Sequence, residues 1–214
     1  MTKKERALHI VEALKERYPK SLCSLEYEKD YELLFAVRLS AQCTDARVNM
    51  VTPELYSTYP TLESLAQADI ADIERIIHST GFFRAKARDI VLSAQMLLSE
   101  HGGKVPNDMD ALLKLPGVGR KTANLVMGDI YGMPGAVVAD THCIRITGKL
   151  GLTDGTKDPA KVETQLRKVL PADESNDFCH RMVLFGRDVC TARSPKCELC
   201  PLQEWCATYQ KEHK

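Results

Sequence analysis

Two segments of this chain carry residues that could do chemistry together: Leu115-Pro116-Gly117-Val118-Gly119-Arg120-Lys121-Thr122-Ala123, and further on Val138-Ala139-Asp140-Thr141-His142. Two glycines punctuate a turn between apolar stretches that read as helices. Glycine tolerates the dihedrals of a tight hairpin and leaves backbone N–H groups open to close approach. The pattern predicts a helix from about Arg120, so those N–H groups would lie at the positive end of a helix dipole, a place suited to a phosphate. Lys121 falls in the first turn, where the dipole disfavours a cation and favours the neutral, nucleophilic amine. A carboxylate such as Asp140 can stabilise positive charge that builds up in a reaction. The same anion raises a neighbouring amine's pKa, while dipole and desolvation lower it, and the sequence leaves that balance open. A Pro-Gly-x-Gly turn by itself reads equally as an ordinary helix–helix connection with a surface lysine.

A second constellation is Cys190, Cys197, Cys200 and Cys206, spaced C-x6-C-x2-C-x5-C. Four soft thiolates so close in sequence can close a tetrahedral zinc site or hold one iron–sulfur cluster, and spacing alone does not separate the two. Disulfides are the competing use. The N-terminal Met1-Thr2-Lys3-Lys4-Glu5-Arg6 is charged and no long apolar run follows it. That pattern lacks a secretory leader and leads to the expectation of a cytoplasmic protein with metal-binding thiols. The other cysteines, Cys23, Cys43, Cys143 and Cys179, are scattered and read as small buried core residues.

These residues need elements to position them. The 214 residues are 44% hydrophobic and 27% charged, a composition that predicts one or two globular domains. No run approaches the roughly 20 apolar residues that span a bilayer. Lys plus Arg and Asp plus Glu both number 29, so the formal net charge is zero and any nucleic-acid footprint must be local. Candidate basic clusters are Arg84, Lys86 and Arg88; Lys114, Arg120 and Lys121; and Arg145 with Lys149. Each reads equally as a solvated helix face.

Helical periodicity recurs through Leu8, Val11 and Leu14, through Leu33, Leu34 and Val37, and through Ile70, Ile73, Ile76 and Ile77 behind Asp69. Thr61 starts a short helix. A longer one runs from Arg84 to Glu100 and ends at Gly102-Gly103. Asp108 caps a helix to Leu115, and Arg120 to Ile130 forms the next. Asp140 opens one that runs through Leu150. Asp158-Pro159 is an N-cap with proline in the first helical position, leading to Leu170. Phe178 to Val189 is the last long helix. Val137-Val138 is extended but too short for a sheet, so the expected fold class is all-α.

Five segments now align with one family. The hairpin and the Val-Ala-Asp-Thr-His segment, the cysteine loop, Leu39-Ser40-Ala41-Gln42-Cys43-Thr44-Asp45, Gly81-Phe82-Phe83-Arg84-Ala85-Lys86-Ala87, and Phe185-Gly186-Arg187 together resemble the endonuclease III family of helix-hairpin-helix DNA base-excision glycosylases. The resemblance covers nearly the whole chain. It implies two helical domains: a six-helix domain over 25–135 carrying the hairpin, and a discontinuous domain of 1–24 with 136–214 carrying a 4Fe–4S cluster on Cys190, Cys197, Cys200 and Cys206. It implies Lys121 as nucleophile and Asp140 as its partner across an interdomain cleft.

The resemblance further implies that Leu115, Gly117, Val118, Gly119 and Arg120 meet the DNA backbone, and that Gln42 and Phe82 enter the duplex. Phe82 stands where some members have leucine, and its other use would be core packing. Ser40, Asp45 and His142 map to the lesion pocket. The implied protein is a bacterial monomer acting on duplex DNA that contains oxidised pyrimidines or abasic sites. It would release the base and cut 3′ to the abasic site by β-elimination. Two competing readings are a monofunctional adenine glycosylase, which typically lacks the lysine and extends further at its C-terminus, and a non-catalytic DNA-binding module.

Overall fold

The computed structural model describes residues 1–212. Its helices in chain order are α1 (Lys3–Arg17), α2 (Asp30–Leu39), α3 (Asp45–Thr58), α4 (Leu62–Ala66), α5 (Ile70–Ile77), α6 (Phe83–His101), α7 (Met109–Lys114), α8 (Arg120–Asp129), α9 (Thr141–Lys149), α10 (Pro159–Arg167), α11 (Ser175–Asp188) and α12 (Ala207–Glu212). Short 3₁₀ turns lie at His78–Thr80, Cys197–Leu199 and Gln203–Trp205. The described residues contain no strand, as the all-α expectation requires. No helix among them is long and apolar enough to cross a membrane. Two compact units are present: Cys23–Tyr131, and Met1–Leu22 with the segment from Gly132 onward. The expected domain limit at 214 lies outside the described residues.

Side-chain caps start most of these helices. Thr2 and Glu5 form a reciprocal capping box on α1. Asp69, Asp108, Asp140 and Asp158 each accept a first-turn N–H, with Pro159 in the first helical position of α10. The helix α3 is absent from the periodicity reading. Pro53 lies inside it, a residue that removes a backbone donor and normally argues against a helix interior. The burial of Val48, Val51 and Leu55 holds it in place.

In the unit Cys23–Tyr131, α6 packs against α4, α5 and α2. Leu33, Leu39, Val48, Leu55, Ile73 and Ile90 belong to the same apolar core and are fully buried. One face of α6 is polar and yet buried: Lys86, Asp89 and Ser93, spaced so that they stack along the helix. Lys86 is 0% exposed, so it is a core residue and not the surface charge that its place between Arg84 and Arg88 implied. Its Nζ donates to the carbonyls of Leu39 and Thr80, both at 2.8 Å. Asp89 accepts from Nε and Nη2 of Arg38, each at 2.8 Å. Ser93 donates to the carbonyl of Pro116 at 3.1 Å.

The other unit packs α1 and α9 against α11. Glu174 accepts from Lys15 at 2.7 Å and from Arg181 at 3.2 Å. Arg181 also donates to the carbonyl of Tyr18. The Lys15 hydrogen bond is the main reason that the Glu174 carboxyl lies below its usual range.

Gly117 has φ +74°, and a Cβ there would meet Arg38 Cδ and Asp89 Oδ2, both at 2.6 Å. Gly119 has φ −103° and open space where a Cβ would lie. Gly117→Ala should therefore lower unfolding stability by at least about 1–2 kcal/mol from the left-handed backbone alone. Gly119→Ala meets no steric conflict but makes a poorer N-cap, so it should lower stability by less, about 0.5–1 kcal/mol. Urea unfolding of the two variants checks the contrast, and equal losses would contradict it.

Candidate functional site

The hairpin is built as its sequence predicts. Leu115 ends α7 and is buried, with the N–H of Val118 donating back to its carbonyl at 3.1 Å. Gly117 supplies the positive φ, and Gly119 is the N-cap of α8 without a side chain to close the helix end. Val118 is buried, whereas Gly119, Arg120 and Lys121 are exposed. Lys121 is the second residue of α8 and stands in its positive first turn.

Gln42 and Phe82 share an unusual backbone. They are the two non-glycine residues with positive φ among the described residues, at 55° and 49°. Neither residue type favours this region, and a bulky side chain there is a strained conformation. Both are exposed, Phe82 by 67%, so core packing does not account for Phe82. Ser40 caps the end of α2 and donates to the carbonyl of Val37. Asp45 begins α3 and accepts from the hydroxyl of Ser24, a residue that lies outside every motif read from the sequence. Asn49 ties the same loop by donating to the Ser24 carbonyl at 2.9 Å and accepting from the Glu26 N–H.

Asp140 and His142 belong to the other unit. Asp140 is the N-cap of α9 and accepts from the N–H of Cys143 at 2.7 Å, which fixes its carboxylate. The His142 ring lies so close to Gly186 that any Cβ at 186 would collide with it. Burial holds the imidazole below its usual pKa; Asp140 opposes this shift, and Arg145 and Arg187 add to it. Arg145 approaches the His142 ring at 3.3 Å and donates to the Cys190 carbonyl at 2.7 Å and to its sulfur at 3.8 Å. Arg145 is thus engaged with the cysteine loop, a role that its basic pairing with Lys149 did not signal.

None of the eight cysteines is paired in a disulfide. Cys190, Cys197, Cys200 and Cys206 line one cavity of about 150 Å³, together with Ile146, Phe185 and Val189. No three metal-ligating side chains among the described residues come close enough to hold a single metal ion. Four thiolates around one cavity are a donor set that an iron–sulfur cluster can take. The N–H groups of Leu202 and Tyr209 donate to the sulfurs of Cys200 and Cys206 at 3.4 and 3.5 Å, as bonds that stabilise thiolate ligands do. Burial, with the other three cysteines adding to it, pushes the Cys200 thiol up to about 11. Of the scattered cysteines, Cys143 and Cys179 are buried as expected, but Cys23 and Cys43 are only partly covered because they lie in loops.

Comparison with known proteins gives a consistent assignment. Residues 35–172 match the HhH-GPD superfamily of base excision DNA repair proteins. Residues 190–206 match the iron-sulfur binding domain of endonuclease III. The chain is 46% identical over 209 residues to endonuclease III of Synechocystis sp., covering 98% of this chain and 95% of that protein. It is 37% identical to endonuclease III of Escherichia coli K12, covering 97% and 98%. A solved structure of a trapped endonuclease III–DNA covalent intermediate, the estranged-adenine complex, superposes with a TM-score of 0.91 at 39% identity over the full length of both chains.

The cofactor is a 4Fe–4S cluster. Protein purified without oxygen should be yellow-brown and hold about four irons with matching sulfide. Cys200→Ala should lose both the colour and the iron. Stoichiometric zinc without sulfide would contradict the assignment.

Proposed function

This chain belongs to the endonuclease III family of base excision DNA repair enzymes, which are DNA glycosylases and abasic-site lyases, and on that premise we propose that it removes oxidised pyrimidines from duplex DNA and cuts 3′ to the resulting abasic site through a Schiff base on Lys121. The observation that carries this reading is the position of Lys121: exposed, and one residue into a helix whose glycine cap leaves the dipole's positive end open.

The damaged nucleotide must leave the stack before its C1′ can be reached. Gln42 fills the space it vacates, and Phe82 wedges into the duplex. Phosphates of the same strand lie against the Gly117–Arg120 turn, and Ser40, Asp45 and His142 line the lesion pocket. The neutral amine of Lys121 attacks C1′, and the C1′–N bond breaks with its electron pair leaving on the base, which takes up a proton. Positive charge on the sugar rises as that bond lengthens, and Asp140 stabilises it. The cap bond to Cys143 holds this carboxylate in one orientation. Ring opening then gives an imine between Nζ and C1′. The imine acidifies C2′; removal of that proton expels the 3′ phosphate and leaves a C2′=C3′ double bond. Water hydrolyses the imine and returns Lys121 to its starting state.

Cys190, Cys197, Cys200 and Cys206 would hold the 4Fe–4S cluster, which would give the C-terminal loop a fixed core. The chain's own residues carry the chemistry.

Gly119→Val tests the hairpin. The fold has room for the side chain, so weaker binding of abasic duplex would report blocked phosphate approach. The magnitude of the salt slope should fall by about one unit for each phosphate that the variant no longer reaches. Unchanged affinity would reduce the hairpin to a structural turn.

Lys121→Gln should abolish the borohydride-trapped complex and both activities on a thymine glycol duplex, while leaving the fold intact because the residue is exposed. Asp140→Asn keeps the helix cap, since asparagine caps as well as aspartate. Its base release should fall by roughly 10²–10³, with a smaller loss of cutting at a pre-formed abasic site. Trapping by Lys121→Gln would place the nucleophile elsewhere.

A further inference from the structure

Lys86 is closed to solvent, and its ammonium bonds to none of the residues given a chemical role above. It is a fully buried lysine whose two hydrogen bonds reach backbone carbonyls at the ends of two separate elements. Leu39 is the last residue of α2, and Thr80 is the last residue of the 3₁₀ turn His78–Thr80. Carbonyls in a helix's final turn have no partner within the helix, and buried ones need a donor from elsewhere. A cation is the favoured donor there, because helix C-termini carry partial negative charge.

The location of these two carbonyls gives the lysine its meaning. Leu39 lies three residues before Gln42, and Thr80 lies two before Phe82. Each bond therefore anchors the base of one of the two turns that hold a non-glycine residue at positive φ. The N–H of Lys86 also donates to the carbonyl of Phe82 at 3.2 Å. One residue thus ties both strained turns to the same point on α6. A strained backbone persists only where its surroundings over-determine it, and a single ammonium bonds at the base of both turns.

We propose that Lys86 is a positioning residue that sets Gln42 and Phe82 in a fixed relation to each other, so that both side chains enter the duplex without reorganisation. This rests on the reading of Gln42 and Phe82 as inserted side chains. The role applies to duplex substrates alone. An abasic site in a single strand has no opposite base and no stacked partner whose gap must be filled, so the lyase step there needs Lys121 but not the two turns.

The test uses the cluster-loaded full chain and two DNAs with the same abasic site, one duplex and one single-stranded. Lys86→Met keeps the length and apolar stem and removes the donor. Strand cutting on the duplex should fall by about 10²-fold, the scale of an ångström-size misplacement, while cutting of the single strand is retained. The single-strand arm counts competent molecules, so partial unfolding scales both arms alike and leaves their ratio unchanged. Gln42→Ala and Phe82→Ala are made in both backgrounds. They should reduce duplex cutting in the unmodified chain and add little in the Lys86→Met chain, as residues acting through one device do. If duplex and single-strand cutting fall together, Lys86 only supports the fold and the proposal is wrong. If Gln42→Ala and Phe82→Ala leave duplex cutting unchanged in the unmodified chain, the insertion reading itself fails and Lys86 has nothing to position.

Discussion

A buried ammonium bonded to two helix-end carbonyls organises the unit that carries the hairpin. Removing a buried donor leaves each carbonyl with a desolvation cost of about 1–3 kcal/mol, so the Lys86 bonds cannot be removed cheaply. The same face of α6 then continues the pattern. Asp89 holds Arg38 in the bed on which Gly117 sits, and Ser93 holds the Pro116 carbonyl. Three buried polar side chains on one helix therefore reach the Gln42 turn, the Phe82 turn and the hairpin. Burial draws the Lys86 ammonium below the ordinary lysine value; Cys43 opposes this shift and Arg38 adds to it. The two carbonyl bonds offset that cost, which is how a lysine comes to lie in an otherwise apolar core.

The second unit uses the same device with other residues. Asp140 is fixed as a helix cap, the His142 ring rests against a glycine, and Arg145 links that ring to Cys190 in the cluster loop. In this unit Asp140 is oriented by a bond at its own helix terminus, and His142 by its neighbour Arg145 on α9. Rigid positioning by backbone and capping contacts is what electrostatic stabilisation of a charged transition state requires.

Local chemistry was legible in the sequence, and long-range partnership was not. The caps at Asp69, Asp108, Asp140 and Asp158, the hairpin glycines and the cysteine spacing are short-range patterns, and the structure builds all of them. Lys86 was a partial failure. It falls in helical register with Ile90, Ala94 and Leu97, all fully buried, so the apolar face was visible, but exposed Arg84 and Arg88 on either side gave it the look of a charged surface. Arg38 could not be read, because its partner Asp89 is remote in sequence. The positive φ of Gln42 and Phe82 contradicts local preference, and only tertiary contacts impose it. Pro53 hid α3 by the opposite route, a local veto that burial overrides.

One exposed lysine at a helix start is proposed to do the covalent chemistry, while a buried lysine serves the framework. Peptide mapping by mass spectrometry of the borohydride-reduced adduct with abasic duplex DNA tests this most directly. The reduced sugar fragment should be attached to Nζ of Lys121. Attachment to Lys86, or to any other amine with Lys121 unmodified, would contradict it.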